Sequence, residues 1–387
     1  MTFTKAAARR AAVAITCVGA ALAVPAHGAD WSLVPSVDLS ERYEQNVGLR
    51  VTDAFSSAST QLGLGLTMRG ASESTSYFFE PRLAWQRYSS RGDQNLDRDE
   101  QRARMGFDHK GETSTASADV AMTRDSTLTS ELGTTGLTQF NRRHEELIAT
   151  LNHGWQLSER YSLTPSVSYR KSRYLDAADL GLQDFSYVSG SLSLTHVIAP
   201  RQTLSLASSA GRMQSQSPST QNTNVTLQWS WKPAQNWQTS VAAGPSWVKF
   251  ADGTETGTIY SAQLSHMAER SSVSLSASRS VSPAGRGVLT QREDVAVSLG
   301  RQWRERWSSS LSASVIQTRE LISVLGFDFG DVRYARAETT TTWRPLQNWS
   351  VIMNAGYSRQ IYKTSAYNAG GLDGRLALNW SSDLYGN

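Results

Sequence analysis

The chain is nearly without cysteine. Its single cysteine, Cys17, sits among the first 28 of 387 residues, in a stretch that reads as a leader. A mature chain lacking cysteine has no disulfide framework and none of the paired-cysteine spacings of zinc or redox sites. Only six histidines occur, and no HExxH, P-loop or dinucleotide fingerprint is present, so no metal or cofactor is expected. Beyond the leader no apolar run reaches the length of a membrane helix, and no useful segment repeats with helical period. A strong charge is missing as well. Removing Lys5, Arg9 and Arg10 leaves 35 basic residues against 34 acidic ones, a net charge of about +1, and no nucleic-acid partner is implied.

The leader has the three parts of a secretory signal. Lys5, Arg9 and Arg10 are basic, Ala11 to Val24 is apolar, and Ala26-His27-Gly28 is a small-residue cleavage site. Residues 1–28 are therefore expected to be a signal peptide and 29–387 the mature barrel. Lipidation at Cys17 is the alternative, but Ala14-Ile15-Thr16 makes a poor lipobox.

What the chain does have is alternation. In Thr226 to Lys249, Leu227, Trp229 and Trp231 point one way while Gln228 and Ser230 point the other; a turn at 233–236 comes next, and Trp237, Val241, Ala243 and Trp247 resume the pattern. That is a hairpin with one apolar and one polar face. Eighteen such segments succeed one another, from 31–43 to 371–380. The joints between them alternate strictly between short and long, among the long ones 44–58, 250–256 and 283–291. Segments of about ten to twelve residues are long for a soluble sandwich and suffice to cross a bilayer at a tilt. Varying repeat length argues against a solenoid. The fold class expected is an all-β, transmembrane, antiparallel up-and-down barrel of about 18 strands, with short turns facing the periplasm of a Gram-negative cell.

Two sets of outward residues fit membrane lipid. Trp155, Tyr161, Trp231, Trp237, Trp303, Trp307, Trp343 and Trp349 flank short turns and form a candidate periplasmic aromatic girdle. At the far ends Lys171, Arg173, Lys249, Arg279, Arg359 and Lys363 can reach lipid phosphates, which suggests contact with lipopolysaccharide. The last strand, with Leu376, Leu378 and Trp380 on one face, is similar to the signal read by the barrel-assembly machinery, although seven residues come after it.

The inner face divides in two. Serine, threonine, asparagine and glutamine dominate it from the eighth to the fifteenth strand. Charges gather on the first four and last three: Asp38, Arg42, Arg69, Glu80, Arg82, Arg102, Arg104, Asp108, Arg336, Glu338, Asp373 and Arg375. Closing the barrel joins these into one candidate wall of the lumen. Eighteen strands about 4.8 Å apart and tilted about 40° enclose a cylinder roughly 35 Å across, wide enough for a channel. No catalytic set emerges, so the chain is not expected to be an enzyme. His144, beside Glu145 and Glu146 near an outer loop, reads as solvated. Asp328 with Gly330-Asp331 is a weak calcium signal.

The first strand and the residues just after it, Trp31 to Val47, run through Pro35 and alternating apolar residues to Glu41-Arg-Tyr43-Glu-Gln-Asn46-Val47. This stretch resembles the opening of outer-membrane barrels associated with exopolysaccharide loci and the PEP-CTERM/exosortase system. The resemblance covers about 17 residues and implies a role in exporting or assembling surface polysaccharide, with periplasmic export components as partners. A general diffusion porin and a structural barrel are the alternatives.

Overall fold

The computed structural model describes residues 30–89, 96–131, 141–176, 181–321, 331–362 and 368–382. The expected signal peptide with Cys17, and Asp328, Gly330 and Lys363, lie outside the described residues.

Eighteen strands run in order. The first six are β1 (Asp30–Glu44), β2 (Ser57–Ala71), β3 (Thr75–Tyr88), β4 (Arg98–Lys110), β5 (Ser114–Ser126) and β6 (Arg143–Gln156). Next come β7 (Tyr161–Leu175), β8 (Phe185–Ala199), β9 (Gln202–Gln214), β10 (Thr220–Trp231), β11 (Trp237–Phe250) and β12 (Gly253–Met267). The last six are β13 (Ser271–Ala284), β14 (Val288–Arg304), β15 (Trp307–Glu320), β16 (Val332–Leu346), β17 (Trp349–Tyr362) and β18 (Asn368–Ser381). A single helical turn, α1 (Thr127–Ser130), comes after β5. Each strand pairs antiparallel with its neighbours in sequence, and β1 pairs with β18 to close the ring. Closure leaves no free sheet edge except where a strand departs from its neighbour.

Alternation sets the faces. Leu39, Met122, Leu151, Leu206, Leu311 and Leu376 project outward and are about half exposed, which is the pattern of a barrel whose apolar side faces outside. Serine hydroxyls close short turns: Ser158 Oγ accepts from the amides of Arg160 and Tyr161, and Ser72 Oγ from that of Thr75, as turn serines do. The eight girdle aromatics flank such turns on the exposed side. His196 stacks on Tyr161, and His266 lies against Trp237, ring centres 4.4 and 4.3 Å apart.

Two long joints expected from the sequence are strand instead. Phe250 pairs with Gly253 around a two-residue turn, and β13 and β14 continue to Ala284 and Val288. Asp252-Gly253 supplies tight-turn chemistry that composition alone presents as a loop.

The β13–β14 hairpin leaves the cylinder. β14 stays paired with β15 as far as Thr290–Glu320, but β13 pairs with β12 only between Tyr260–Arg279 and Met267–Ser272. Above that level β13 swings inward. Val281, on outward parity in the sequence, therefore packs inside, against a cluster of Phe185, Met213, Val248 and Leu289. Leu289 is fully buried. The turn is held by Gln183 N donating to Gly285 O at 2.7 Å and Ser215 Oγ donating to Gly287 O at 2.9 Å.

Candidate functional site

A concave wall brings every second strand within side-chain reach, provided the strand between leaves room. Asp38 on β1 reaches over Gly63 on β2 to Arg82 on β3, Oδ1 to Nη2 2.6 Å; a Cβ on Gly63 would collide with that carboxylate. Arg336 on β16 reaches over Gly356 on β17 to Asp373 on β18 with two parallel bonds, 2.9 and 3.0 Å. A Cβ on Gly356 would stand 2.9 Å from Asp373 Oδ1 and 3.0 Å from Arg336 Nη2. A two-pronged guanidinium–carboxylate contact of this kind is strong and directional.

The remaining charges fall into place along the same face. Arg42 bonds Asp373 at 3.2 Å and lies 3.4 Å from Glu44. Arg336 also pairs with Glu338, whose carboxylate accepts from Asn354. Arg69 lies 3.5 Å from Glu80, and Arg104 2.8 Å from Asp119. Asp108 sits cross-strand from Ser76 and Ser117, toward the short-turn end. Among the described residues, Arg102 and Arg375 enter no ion pair. Each lies directly cross-strand from a paired arginine, Arg102 from Arg82 and Arg375 from Arg42. The twelve residues thus occupy one inner face of β16, β18 and β1 to β4, as alternation and register require.

Sequence reasoning missed what narrows the mouth. The connection after β1 turns inward around Asn46, whose side chain accepts from Arg50 N and donates to the carbonyls of Arg50 and Gly370. Val47 is then buried against Tyr88 and Leu96, and Leu49 against Tyr334 and Ala369. Asn46 and Val47 close the stretch that carries the resemblance, so this part of it builds an inward loop. From the other side comes the β13–β14 turn. Arg286 pairs with Glu320, while Gly285 lies beside Glu131 and Tyr174. The signal available was apolar residues in a joint expected to be solvated: Val47, Leu49, Val288 and Leu289.

His144 is not solvated. It projects inward from β6, 3% exposed, with Nδ1 2.8 Å from Asp125 Oδ1 and Nε2 2.6 Å from Ser172 Oγ. Its acidic neighbours in sequence suggest a wet loop, but parity turns it away from Glu145 and toward strands on both sides. Asp, His and Ser stand in the order of a nucleophilic triad. Ser172 is only 1% exposed, so a substrate carbonyl cannot approach its Oγ. The arrangement is a buried clamp across β5, β6 and β7. Among the described residues no three His, Cys, Asp or Glu side chains gather as a metal site.

No protein family matches the chain, and no curated protein does. Solved structures do. OccK2 of Pseudomonas aeruginosa, crystallised in complex with glucuronate, is 9% identical over 92% of this chain and 98% of its own, with a TM-score of 0.52. The fold is that of an outer-membrane β-barrel. OccAB3 of Acinetobacter baumannii is 7% identical over 92% of this chain and all of its own, TM-score 0.51. The FrpB iron transporter of Neisseria meningitidis is 9% identical over 91% of this chain and 81% of its own, TM-score 0.50. At such identity the likeness is one of fold.

Proposed function

We propose that this chain is an outer-membrane channel for small hydrophilic solutes, with a preference for those bearing a carboxylate. The observation that carries the reading is the pair Arg102 and Arg375, cations on the inner wall without a carboxylate of their own. Their neighbours are neutralised internally, so these two present attraction that a passing anion can use. The hydroxyl-rich opposite wall keeps the solute hydrated. Likeness in fold to a barrel crystallised with glucuronate supports the substrate class.

Polymer export rests on the first-strand resemblance alone. The two inward-folded segments at the mouth favour small solutes over a chain of sugars. The test is reversal potential across a planar bilayer in a salt gradient. Anion preference should weaken when Arg102→Gln and Arg375→Gln are combined. Equal selectivity in the variant, or cation preference in the unaltered protein, refutes this function.

A further inference from the structure

A second surface lies on the uncharged side of the lumen. Serines of β7, β8 and β9 line a cavity of about 220 Å³ with Tyr187, Asn222 and Asn224, and Val281 of the inward hairpin completes it. That is the space of roughly seven water molecules. Its lining residues carry no charge.

The cavity has polar atoms to spare. Ser166, Ser191, Ser209 and Asn224 stand in register across β7 to β10, and Asn224 donates through Nδ2 to Ser209 Oγ at 3.3 Å. Tyr187 is held in place: its hydroxyl donates to Asn222 Oδ1 at 2.9 Å, across Gly211 of β9, and its ring packs on the Phe185 cluster that also holds Val281. A row of hydroxyl and amide groups on one wall offers a polyol several donors and acceptors at once.

We infer that this cavity binds a neutral sugar ring. Its hydroxyls would meet those of Ser166, Ser191 and Ser209, and its C–H face the ring of Tyr187. An uncharged polyol suits the site because a carboxylate would lose hydration there and gain no cation. The site is separate from the arginines of the charged wall and from conduction itself.

The experiment is saturation-transfer NMR on the full chain in detergent micelles, with glucose and glucuronate as probes. It needs no ion flow, so it stands apart from the channel reading. Glucose should give a saturable signal that Ser191→Ala and Ser209→Ala each weaken by about tenfold, while Arg102→Gln leaves it unchanged. Val281→Trp fills the cavity from the hairpin without altering the wall and should abolish the signal, which covers the case in which a wall variant fails to fold. Three results would each overturn the inference: no saturable glucose signal from the unaltered chain, full binding in all three cavity variants, or displacement of glucose by an equal concentration of glucuronate.

Discussion

Gly285 and Glu131 meet although they come from opposite sides of the ring. A Cβ on Gly285 would stand 2.7 Å from Glu131 Oε2, yet the turn carrying Gly285 comes after β13 and Glu131 after β5, eight strands away in a ring of eighteen. The turn therefore lies inside the mouth, where the connections after β5, β7 and β9 meet it. Gly285→Leu has no room there and should push the turn outward. Single-channel conductance in planar bilayers is expected to rise. A conductance equal to that of the unaltered chain would mean that the hairpin does not limit flow.

Peeling of β13 from β12 can be tested with paired cysteines, because the expected mature chain has none of its own. Leu264 and Leu275 are register partners, and Leu264→Cys with Leu275→Cys should oxidise to a disulfide. Thr258 and Val281 would be partners were the same register to continue. The pair Thr258→Cys and Val281→Cys should stay reduced, since β12 and β13 no longer pair at that level and a disulfide needs close, aligned Cβ atoms. Non-reducing gels after mild oxidation distinguish the two.

Removing His144 leaves part-buried Asp125 and buried Ser172 without their shared partner. His144→Ala should cost about 2 to 3 kcal/mol, read as a lower temperature for the heat-modifiable gel shift. Burial also predicts that a fluorophosphonate leaves Ser172 unlabelled in the folded chain. Labelling that disappears in Ser172→Ala would restore a catalytic reading of this group.

Gly63→Val should displace Asp38 from Arg82 and free that guanidinium. Anion selectivity should then increase relative to the unaltered chain, the opposite of what Arg102→Gln with Arg375→Gln is expected to do. Arg336→Ala, by contrast, leaves Glu338 and Asp373 facing each other with less cation between them. Loss of such a half-buried pair costs about 2 kcal/mol and should favour cations.

Period-two alternation makes the strands legible, because a residue such as Leu275 must face away from Ser274 whatever the rest of the chain does. It also places Asp38, Arg82 and Arg336 on one face. Their partners are hidden, since the bridges jump a strand and depend on what Gly63 and Gly356 lack. Val281 escapes for a different reason. Parity reports the face of a strand, but above Arg279 β13 no longer belongs to the cylinder, and no local pattern in Ser280-Val281-Ser282 records that departure. His144 is misjudged from its neighbours in sequence, whereas its neighbours across the sheet decide its surroundings.

Inward bending of β13 has a cost at the level of the bilayer. From Gly253 to Ile259, β12 keeps one side of its backbone without a ladder partner, and such amides and carbonyls cost several kcal/mol apiece in hydrocarbon. The oily layer on that flank can rise no higher than Tyr260, where pairing resumes. The barrel's waterline is thus fixed on one side by a departing strand, and the molecule must ride in its membrane at the depth that this notch allows.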